Sequence, residues 1–445
     1  MYPEIPLSPE AAVSRFLQSL AEPARILVAI SGGSDSTGLL VALAEAVKAD
    51  PHSKFSLCAA TVDHDLRAGS ADEARDVAAL CQSLSIPHRI AVWHGAKPKS
   101  GIMAAAREAR YALLAETAVG FGADLIVTAH TLDDQRETLI MRSKRGSVGD
   151  LDTGIADAVL FDRSIWIARP LLASTRGDIR RFLTSRGVGW SDDPSNDDMK
   201  YERVQTRAAI PADAVARELP QPEGRAALAD AAADWLTKHF TLCAPGLGRI
   251  AIEGIAIGNP AFAYALGRLG AVFGGQSFVM GAQSLQRLLT FLGTGEPGRV
   301  TAGRVVFDKR RDGLYFSRED RGILPLSLSP GTSGIWDGRF RVFNGASFPI
   351  RIEKSGGIAA ETPSESRLPK SALKRALAAQ PAIFPADDAN VSGAFLGAVA
   401  LEPYFAPFDR FLTRFDFIFA WRLTAAFGTR PYPTLPLGLI DGKTT

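Results

Sequence analysis

The segment Ser31-Gly32-Gly33-Ser34-Asp35-Ser36 carries residue types that bind an anion. Two adjacent glycines allow a tight turn and a close approach of the backbone to a ligand, and the serines add hydroxyl donors. An apolar run at 25–30 precedes the segment and a helical pattern begins at Thr37. The free N–H groups of a helix start favour negative charge. The segment therefore predicts a site for a triphosphate or a pyrophosphate.

A second polar cluster, residues 130–138, follows another apolar run. In a helix that begins just after His130, Asp133 and Glu137 share one face. Acidic residues in a first helical turn also suit the helix dipole, which is the purely structural interpretation. That interpretation leaves His130 at the strand end unexplained, so we expect the cluster, including Asp134, to serve a reaction.

The carboxylates of this second cluster, among them Asp134, are candidate metal ligands. Mg²⁺ prefers oxygen ligands, and it would neutralise a pyrophosphate as it leaves. The 3 cysteines are widely spaced, and no C-x-x-C occurs. This pattern excludes a disulfide scaffold, a zinc ribbon and an iron–sulfur centre, and it favours a reducing, cytoplasmic location.

Strands and helices alternate through the N-terminal half, which indicates a parallel sheet with helices on both faces. The predicted strands are 25–30, 55–62, 88–93 and 124–129, and the predicted helices are 8–21, 37–44, 70–84, 104–120 and 132–142. In such sheets a ligand lies beyond the carboxyl ends of the strands. Polar clusters at 31–36, 63–67 and 130–134 fall at those ends, so we expect them to form one site.

The 445 residues suggest two or three domains. A Pro-rich stretch near 211–223 sets a boundary, so we predict domains at 1–210, 211–325 and 326–445. The second should be mainly helical, and the third should be a small mixed α/β or β domain. A net charge of +2 means that a polyanion partner must meet local basic patches. No basic–apolar leader and no apolar run of ~20 residues occurs, so we expect no membrane association.

The loop lacks the lysine of the Walker motif and the G-x-G-x-x-G of dinucleotide sites. It resembles the S-G-G-x-D-S loop of the N-type ATP pyrophosphatases, the PP-loop superfamily. Other segments resemble the tRNA(Ile)-lysidine synthase family over roughly residues 22–207: Val62-Asp63-His64-Asp65-Leu66-Arg67, Ala106-Arg107-Glu108-Ala109-Arg110-Tyr111, residues 128–138, Arg169-Pro170-Leu171-Leu172, and Asp193-Pro194-Ser195-Asn196 with Tyr201 and Arg203.

The resemblance has departures, which put details around the site in doubt rather than the reaction class. Thr131 stands where the family often has a second histidine, so His130 must carry any imidazole role alone. Ile102-Met103 replace a frequent asparagine, residues 145–149 are a weak version of a Gly-rich segment, and Val204 stands where asparagine is common.

The resemblance implies an enzyme that takes tRNA(Ile) with a CAU anticodon. ATP would adenylate the carbonyl oxygen at carbon 2 of the wobble cytidine, releasing pyrophosphate. The amine of free L-lysine would then displace AMP and give lysidine, which pairs with A instead of G. The domain at 1–210 would be catalytic, and the two later domains would be tRNA-binding or accessory.

The resemblance also implies roles for single residues. The loop would hold the ATP phosphates, with Asp35 and Asp134 on Mg²⁺, and His130 would hydrogen-bond the α-phosphate. Arg107 and Arg110 would stabilise phosphate or the adenylated base. Arg203 and Arg207 would clamp tRNA phosphate or the acidic end of lysine, although a solvated helix face is the alternative. We further assign substrate binding to two acidic residues, Asp133 and Glu137.

Several basic residues are candidates for tRNA backbone contact: Arg142, Lys144, Arg145, Arg176, Arg180, Arg181 and Arg186. The rival hypotheses are another PP-loop enzyme, such as a tRNA thiolase, GMP synthetase or asparagine synthetase, and a non-catalytic tRNA-binding relative. Thiolation of this kind usually needs paired cysteines and a glutaminase needs its own nucleophile, and the sequence offers neither. Whether the chain forms a homodimer stays open.

Overall fold

The computed structural model describes residues 6–65, 70–98, 100–144, 154–191, 205–206, 222–356, 368–386 and 393–438. The chain divides into two compact units. The first comprises Met1–Arg225, Thr413–Phe415 and Pro433–Thr445, and the second comprises Ala226–Leu412 and Asp416–Tyr432. The predicted division at residue 325 stays a prediction. Within the described residues, no helix is both long and apolar enough to cross a membrane.

The first unit is built on a mainly parallel sheet. Its strands from the N-terminal half are β1 (Ala24–Ala29), β2 (Phe55–Asp63), β3 (His88–Val92), β4 (Leu125–Val127), β5 (Ala158–Phe161) and β6 (Ile165–Ala168). They lie in the order β5-β6-β4-β1-β2-β3, with the strand Phe411–Thr413 beside β5. Strand β1 is central and pairs in parallel with both β2 and β4. The predicted sheet is therefore present, and the carboxyl ends of β1, β2 and β4 share one edge.

Helices connect these strands: α1 (Pro9–Ser19), α2 (Ser34–Ala49), α3 (Ser70–Ser83), α4 (Ile102–Phe121), α5 (Leu132–Lys144) and α6 (Arg176–Ser185). Helix α1 begins as predicted, because Ser8 Oγ accepts a hydrogen bond from Ala11 N at 3.2 Å and Pro9 stands at the first helical position. Leu39, Leu40 and Leu43 of α2 are fully buried, so this helix supplies much of the core beside the site.

A glycine sets the distance between α2 and α6. A Cβ atom at Gly38 would lie 2.3 Å from Ile179 Cγ2 of α6, which is far inside van der Waals contact. Only glycine therefore allows the two helices to pack this closely at the ends that face the sheet edge.

Segments from the C-terminal part of the chain complete the first unit. Trp166 Nε1 donates to Pro433 O at 3.2 Å, and Arg414 Nη1 donates to Asp157 Oδ2 at 3.0 Å. Leu20 and Leu437 form an antiparallel bridge. The unit is thus discontinuous in sequence.

The second unit combines helices with three antiparallel sheets. Its helices are α7 (Pro222–His239, from Ala226 onward), α8 (Pro260–Gly274), α9 (Ala282–Gly293), α10 (Lys370–Ala378) and α11 (Phe417–Phe427). Its strands are β7 (Phe240–Ala244), β8 (Leu247–Ala251), β9 (Gly298–Ala302), β10 (Val305–Arg310), β11 (Gly313–Arg318), β12 (Leu326–Leu328), β13 (Ser333–Trp336), β14 (Phe340–Asn344), β15 (Ile350–Lys354), β16 (Pro381–Pro385) and β17 (Val399–Pro403). The sheet orders are β7-β8-β11-β10-β9, β12-β15-β16 and β13-β14-β17.

The predicted fold class is confirmed, with one difference in the middle of the chain. The predicted mainly helical middle of the chain contains α7, α8 and α9, but β7 and β8 join β10 and β11 there in one sheet. Helix α11 was not predicted, because its aromatic sequence gives no clear polar face. Phe405 and Phe408 are buried, so both side chains pack in the core.

A buried carboxylate joins three arginines in the second unit. Asp337 lies 2.7 Å from Arg304 Nη2, 3.0 Å from Arg318 Nε and 2.6 Å from Arg339 Nε. The side chains of Asp337 and Arg318 are each 1% exposed. We call these four residues the Asp337 cluster. Burial lowers the pKa of Arg339 to about 10, against the opposing effect of the Asp337 carboxylate.

Candidate active site

The loop after β1 folds back on itself through its serines. Ser36 Oγ accepts from Ser31 N at 3.1 Å and donates to Gly33 O at 3.1 Å. Gly32 has a φ of 85°, a conformation that glycine adopts without strain. Ser191 N also donates to Gly32 O at 2.9 Å. The loop is therefore a defined turn and not a mobile linker.

Helix α2 begins directly after this turn, at Ser34, with Gly33 as its N-cap. No side chain caps it, because glycine has none to offer. The first N–H groups of the helix stay available to an anion, and the helix dipole favours negative charge there. The geometry is therefore that of a phosphate cradle, as the loop sequence predicts.

Helix α5 begins with a reciprocal cap. Thr131 Oγ1 accepts from Asp134 N at 3.4 Å, and Asp134 Oδ2 accepts from Thr131 N at 2.7 Å. Thr131 is fully buried. This is a capping box with aspartate in place of glutamate, so the threonine that departs from the family pattern has a structural role. Asp134 Oδ2 accepts the hydrogen bond of the cap, and Asp134 Oδ1 faces Arg176.

His130 lies between the end of β4 and this cap. Its Nδ1 is 3.1 Å from Thr128 Oγ1, which orients the ring. Because β4 adjoins β1 in parallel, the imidazole lies at the same edge of the sheet as the phosphate cradle. The predicted convergence of these two polar segments at one edge is thus present.

One arginine occupies the centre of the acidic residues. Arg176 Nε lies 3.1 Å from Asp35 Oδ2, its Nη2 lies 3.5 Å from Asp134 Oδ1, and its Nη1 lies 3.9 Å from Glu137 Oε1. The backbone N–H of Arg176 donates to Asp133 Oδ2 at 2.8 Å. We call Asp35, Asp133, Asp134 and Glu137 the carboxylate cluster. The starts of α2, α5 and α6 meet at this point.

For each of Asp35 and Arg176, burial and the oppositely charged neighbours shift the pKa in opposite directions. Burial raises the pKa of Asp35 above its ordinary value, and the Arg176 guanidinium only partly opposes that effect. Burial also disfavours the charged guanidinium, but the carboxylates of Asp35 and Asp134 outweigh it and raise the pKa of Arg176. Glu137, whose side chain is 1% exposed, and Asp134, at 13%, complete a poorly solvated acidic pocket.

The cluster after β2 is described as far as Asp65. Arg110 Nη2 of α4 lies 3.3 Å from His64 Nε2, and the Trp93 ring meets the imidazole edge-on at 6.0 Å. Burial, together with the neighbouring Arg110 charge, lowers the pKa of His64 to about 4. His64 is therefore neutral near pH 7 and can accept a hydrogen bond from the guanidinium.

The remaining predicted site residues divide into two groups. Arg107 lies over the Tyr111 ring, 5.1 Å from its centroid, and no measured contact joins it to the carboxylate cluster among the described residues. Arg203 and Arg207 lie outside the described residues, as do Arg67, Arg145 and the segment 193–196. Their predicted roles stay predictions.

Sequence reasoning missed Arg176 as part of the site and counted it only among candidates for tRNA contact. A signal was present: Thr175 and Asp178 form a helix cap, with Asp178 N donating to Thr175 Oγ1 at 3.1 Å, directly after the predicted R-P-L-L segment. A capped helix start that follows a strand points to the same sheet edge. Arg180, one turn later, also reaches the loop, with Nε 3.4 Å from Ser34 Oγ.

The donor set fits the Mg²⁺ that the family resemblance implies. Carboxylate oxygens are what Mg²⁺ prefers, and Asp35 and Asp134 reach the same guanidinium from two helices. No group of three or more metal-binding side chains is preformed in the part of the chain described. Mg²⁺ is ordinarily held by one or two carboxylates together with substrate phosphates, so these two residues fit a metal that arrives with ATP.

Comparisons with known proteins agree with this geometry. A family model described as a PP-loop domain matches residues 8–213. The tRNA(Ile)-lysidine synthase of Rhizobium meliloti (strain 1021) is 45% identical over 442 residues, which cover 95% of this chain and 96% of the relative. That of Mesorhizobium japonicum is 38% identical over 431 residues, covering 93% and 94%. A solved U34-tRNA thiolase from Methanococcus maripaludis is 17% identical with a TM-score of 0.38, over 45% of this chain and 70% of that one, which is too slight a likeness to carry an argument.

Proposed function

The chain belongs to the tRNA(Ile)-lysidine synthase family of PP-loop enzymes, and from this premise we propose its reaction and a role for each part of the site. The substrates are tRNA(Ile) with a CAU anticodon, ATP and free L-lysine. The carbonyl oxygen at carbon 2 of the wobble cytidine attacks the α-phosphorus of ATP, and pyrophosphate leaves. The lysine amine then attacks carbon 2, AMP leaves, and a proton is lost from the amine. The product reads AUA instead of AUG.

The uncapped start of α2 carries the binding of ATP in this proposal. Backbone N–H groups after Gly33 and the hydroxyls of the loop donate to phosphate oxygens, and the helix dipole stabilises the charge that builds up on the leaving pyrophosphate. Asp35 and Asp134 would hold Mg²⁺, which would neutralise charge on the phosphates. His130, oriented by Thr128, would donate to the α-phosphate.

The arginines and remaining carboxylates would serve the other two substrates. Arg110, held by neutral His64, is placed to meet the charge of the adenylated base, and Arg107 lies one turn earlier on the same helix. Glu137 and Asp133 supply negative charge for the ammonium group of lysine. We assign Arg203 and Arg207 to tRNA phosphate or to the lysine carboxylate. The thiols of Cys58 and Cys81 are free and buried, which agrees with work in a reducing cytoplasm.

The single observation that carries the proposal is the meeting of an uncapped helix start with a carboxylate from the neighbouring helix. Asp35 opens α2 beside the anion cradle, and Asp134 opens α5, and both contact one guanidinium. A binding module that merely gripped RNA phosphates would gain nothing from buried acidic residues at its anion site, because they repel phosphate. A divalent cation and a leaving pyrophosphate explain both features together.

Asp35→Asn and Asp134→Asn test the proposal directly. Asparagine keeps an oxygen that can accept the Thr131 hydrogen bonds, so Asp134→Asn removes the charge while preserving the cap. We expect tRNA-dependent incorporation of radiolabelled lysine to fall by about two orders of magnitude or more in each variant. ATP-dependent pyrophosphate release in the presence of tRNA and lysine should fall in parallel.

Asp76→Asn is the matched control, because Asp76 is an exposed carboxylate on α3. This variant should incorporate lysine at the wild-type rate. Near-normal turnover in Asp35→Asn or Asp134→Asn would remove that residue from the mechanism. Pyrophosphate release that needed tRNA but not lysine, with a different modified base, would favour another PP-loop reaction.

A further inference from the structure

The centre of the acidic pocket is filled by a cation that belongs to the chain itself. The three contacts of the Arg176 guanidinium with Asp35, Asp134 and Glu137 measure 3.1, 3.5 and 3.9 Å. Charge-assisted N–H···O bonds are usually near 2.7–2.9 Å. The guanidinium is therefore hydrogen-bonded to Asp35 alone, at a distance longer than is usual for a charge-assisted bond, and it lies farther from the other two carboxylates.

The capping and packing of α6 do not require an arginine at position 176. Helix α6 is already capped by Thr175 and packs through Ile179 against Gly38. A basic side chain at the first position of a helix is also opposed by the helix dipole. An unfavourable charge at a helix start, surrounded by the acidic ends of two other helices, points to a ligand-related role.

The backbone and the side chain of Arg176 are held separately. The N–H group is fixed by Asp133 Oδ2 at 2.8 Å, whereas the side chain is 21% exposed. The guanidinium can therefore leave the carboxylates by rotation about its own side-chain bonds, with no movement of α6. Its planar fork suits phosphate oxygens as well as it suits carboxylates.

We propose that Arg176 is a placeholder for the divalent cation: it neutralises Asp35 and Asp134 in the nucleotide-free enzyme and turns to the phosphate oxygens when ATP and the metal bind. The inference rests on the proposed function for the identity of the nucleotide. It makes Arg176 a positioning residue that prevents the acidic residues from repelling each other in the free enzyme, and that keeps the empty pocket from trapping metal without ATP.

The test measures metal alone, with Mn²⁺ as the probe and free Mn²⁺ counted by electron paramagnetic resonance in the absence of nucleotide. Arg176→Gln removes the competing charge and should tighten Mn²⁺ binding by roughly tenfold. Arg176→Lys keeps a charge and should stay near wild type. Arg75→Gln is the matched control, because Arg75 also pairs with an aspartate but is 73% exposed on α3, and it should leave Mn²⁺ binding unchanged.

A second measurement follows ATP binding with all metal removed by a chelator. If the guanidinium turns to the phosphates, Arg176→Gln should weaken metal-free ATP binding by roughly tenfold, and Arg176→Lys should weaken it less. The two effects have opposite signs for one variant, which a general loss of structure cannot produce. Thermal unfolding of each variant accompanies both measurements.

Unchanged or weaker Mn²⁺ binding in Arg176→Gln would overturn the inference, and so would a variant that fails to fold, since Arg176 would then be structural. Lysine incorporation by the wild-type enzyme separates the two levels. If the wild-type enzyme incorporates lysine but Arg176→Gln does not bind Mn²⁺ more tightly, only the inference about Arg176 is wrong. If Arg176→Gln binds Mn²⁺ more tightly but the wild-type enzyme never incorporates lysine, the proposed function is wrong, and Arg176 still competes with a cation for the carboxylates.

Discussion

The carboxylate cluster of the first unit together with Arg176, and the Asp337 cluster of the second unit, combine carboxylates and guanidiniums in opposite proportions. At the site, several carboxylates share one guanidinium over 3.1–3.9 Å, and the Asp35 and Arg176 side chains are 22% and 21% exposed. In the other cluster, three guanidiniums share one carboxylate over 2.6–3.0 Å, and Asp337 is 1% exposed.

The difference separates an ion pair that holds structure from one that awaits a ligand. The short contacts of Asp337 with the buried Arg318 and Arg339 cannot be exchanged, because removing either partner leaves a charge unpaired in a poorly solvated interior. The longer contacts of Arg176 with the partly exposed Asp35 and Asp134 can be replaced by an incoming cation or anion at lower cost. An excess of acid over base further prepares the site for a cation. Four predictions test this contrast, in decreasing order of their effect on stability.

The largest effect is expected at Asp337. Asp337→Asn keeps a residue that tolerates the positive φ of 51° at this turn, but it leaves Arg318 and Arg339 buried without a counter-charge. We expect the free energy of unfolding to fall by about 3–5 kcal/mol, measured by urea denaturation. Asp320→Asn is the control, because Asp320 is 61% exposed and lies 4.0 Å from Lys354, and it should change stability by less than about 0.5 kcal/mol. Equal losses of unfolding free energy in Asp337→Asn and Asp320→Asn would show that the Asp337 cluster does not stabilise the fold more than an exposed ion pair does.

Gly38→Ala should come next, because it forces α2 and α6 apart at the position that brings Asp35 and Arg176 together. The added Cβ would meet Ile179 at 2.3 Å. We expect a loss of about 1–3 kcal/mol in unfolding free energy and weaker ATP binding by calorimetry. Gly189→Ala, where the Cβ would meet nothing within 4 Å, should affect neither. Normal ATP binding in Gly38→Ala would mean that the helix spacing does not set the site.

Asp35→Asn should abolish activity with almost no loss of stability, in contrast to Asp337→Asn. The pKa of Asp35 is raised in the folded protein because burial disfavours its charge. The free energy of unfolding therefore decreases as the pH rises through the pKa that Asp35 has in the folded protein. The neutral variant avoids this loss, so its free energy of unfolding at pH 7 should equal or exceed that of the wild type, and the two should converge as the pH falls. Destabilisation of Asp35→Asn at pH 7 would show that its ion pair is structural.

The smallest effect concerns the thiols, which report on each unit separately. Cys58 and Cys81 of the first unit are buried, and burial raises the pKa of Cys81 to about 11. Cys243 of β7 in the second unit is half-buried, so it should react first with a disulfide reagent at pH 8. In Asp337→Asn the reaction of Cys243 should accelerate while Cys58 and Cys81 stay protected. Simultaneous exposure of all three would mean that the units unfold together.

The sequence was sufficient for the family resemblance and for the fold class, and both are confirmed. The phosphate loop and the acidic start of α5 are contiguous segments whose spacing encodes a turn and a helix start, and parallel strands bring them to one edge. Asp35 and Asp134 could therefore be predicted to meet. Thr131, noted only as a departure from the family pattern, proved to be the cap of α5.

Contacts between distant segments could not be predicted in this way. Arg176 lies 141 residues after Asp35, and its charge alone gave no indication that it would face inward and not toward RNA. The Asp337 cluster likewise joins arginines from separate parts of the chain, because Arg304 and Arg339 lie in turns and Arg318 ends β11. Contacts of this kind depend on tertiary packing, which local sequence preference does not predict. The hairpin of β7 and β8 was missed for a different reason, because its turn signal, Pro245-Gly246, was present in the sequence and was overlooked.

The discontinuity of the first unit bears on how the protein is made. Trp166 finds its hydrogen-bond acceptor at Pro433, and the backbone of Leu20 pairs with Leu437. A ribosome synthesises the sheet and its phosphate loop early, but these partners emerge only after the second unit has been translated. The nascent first unit therefore lacks these contacts, and its folding is completed only when the whole polypeptide has been made. A stop codon near residue 225 would yield an incomplete unit and not a minimal enzyme.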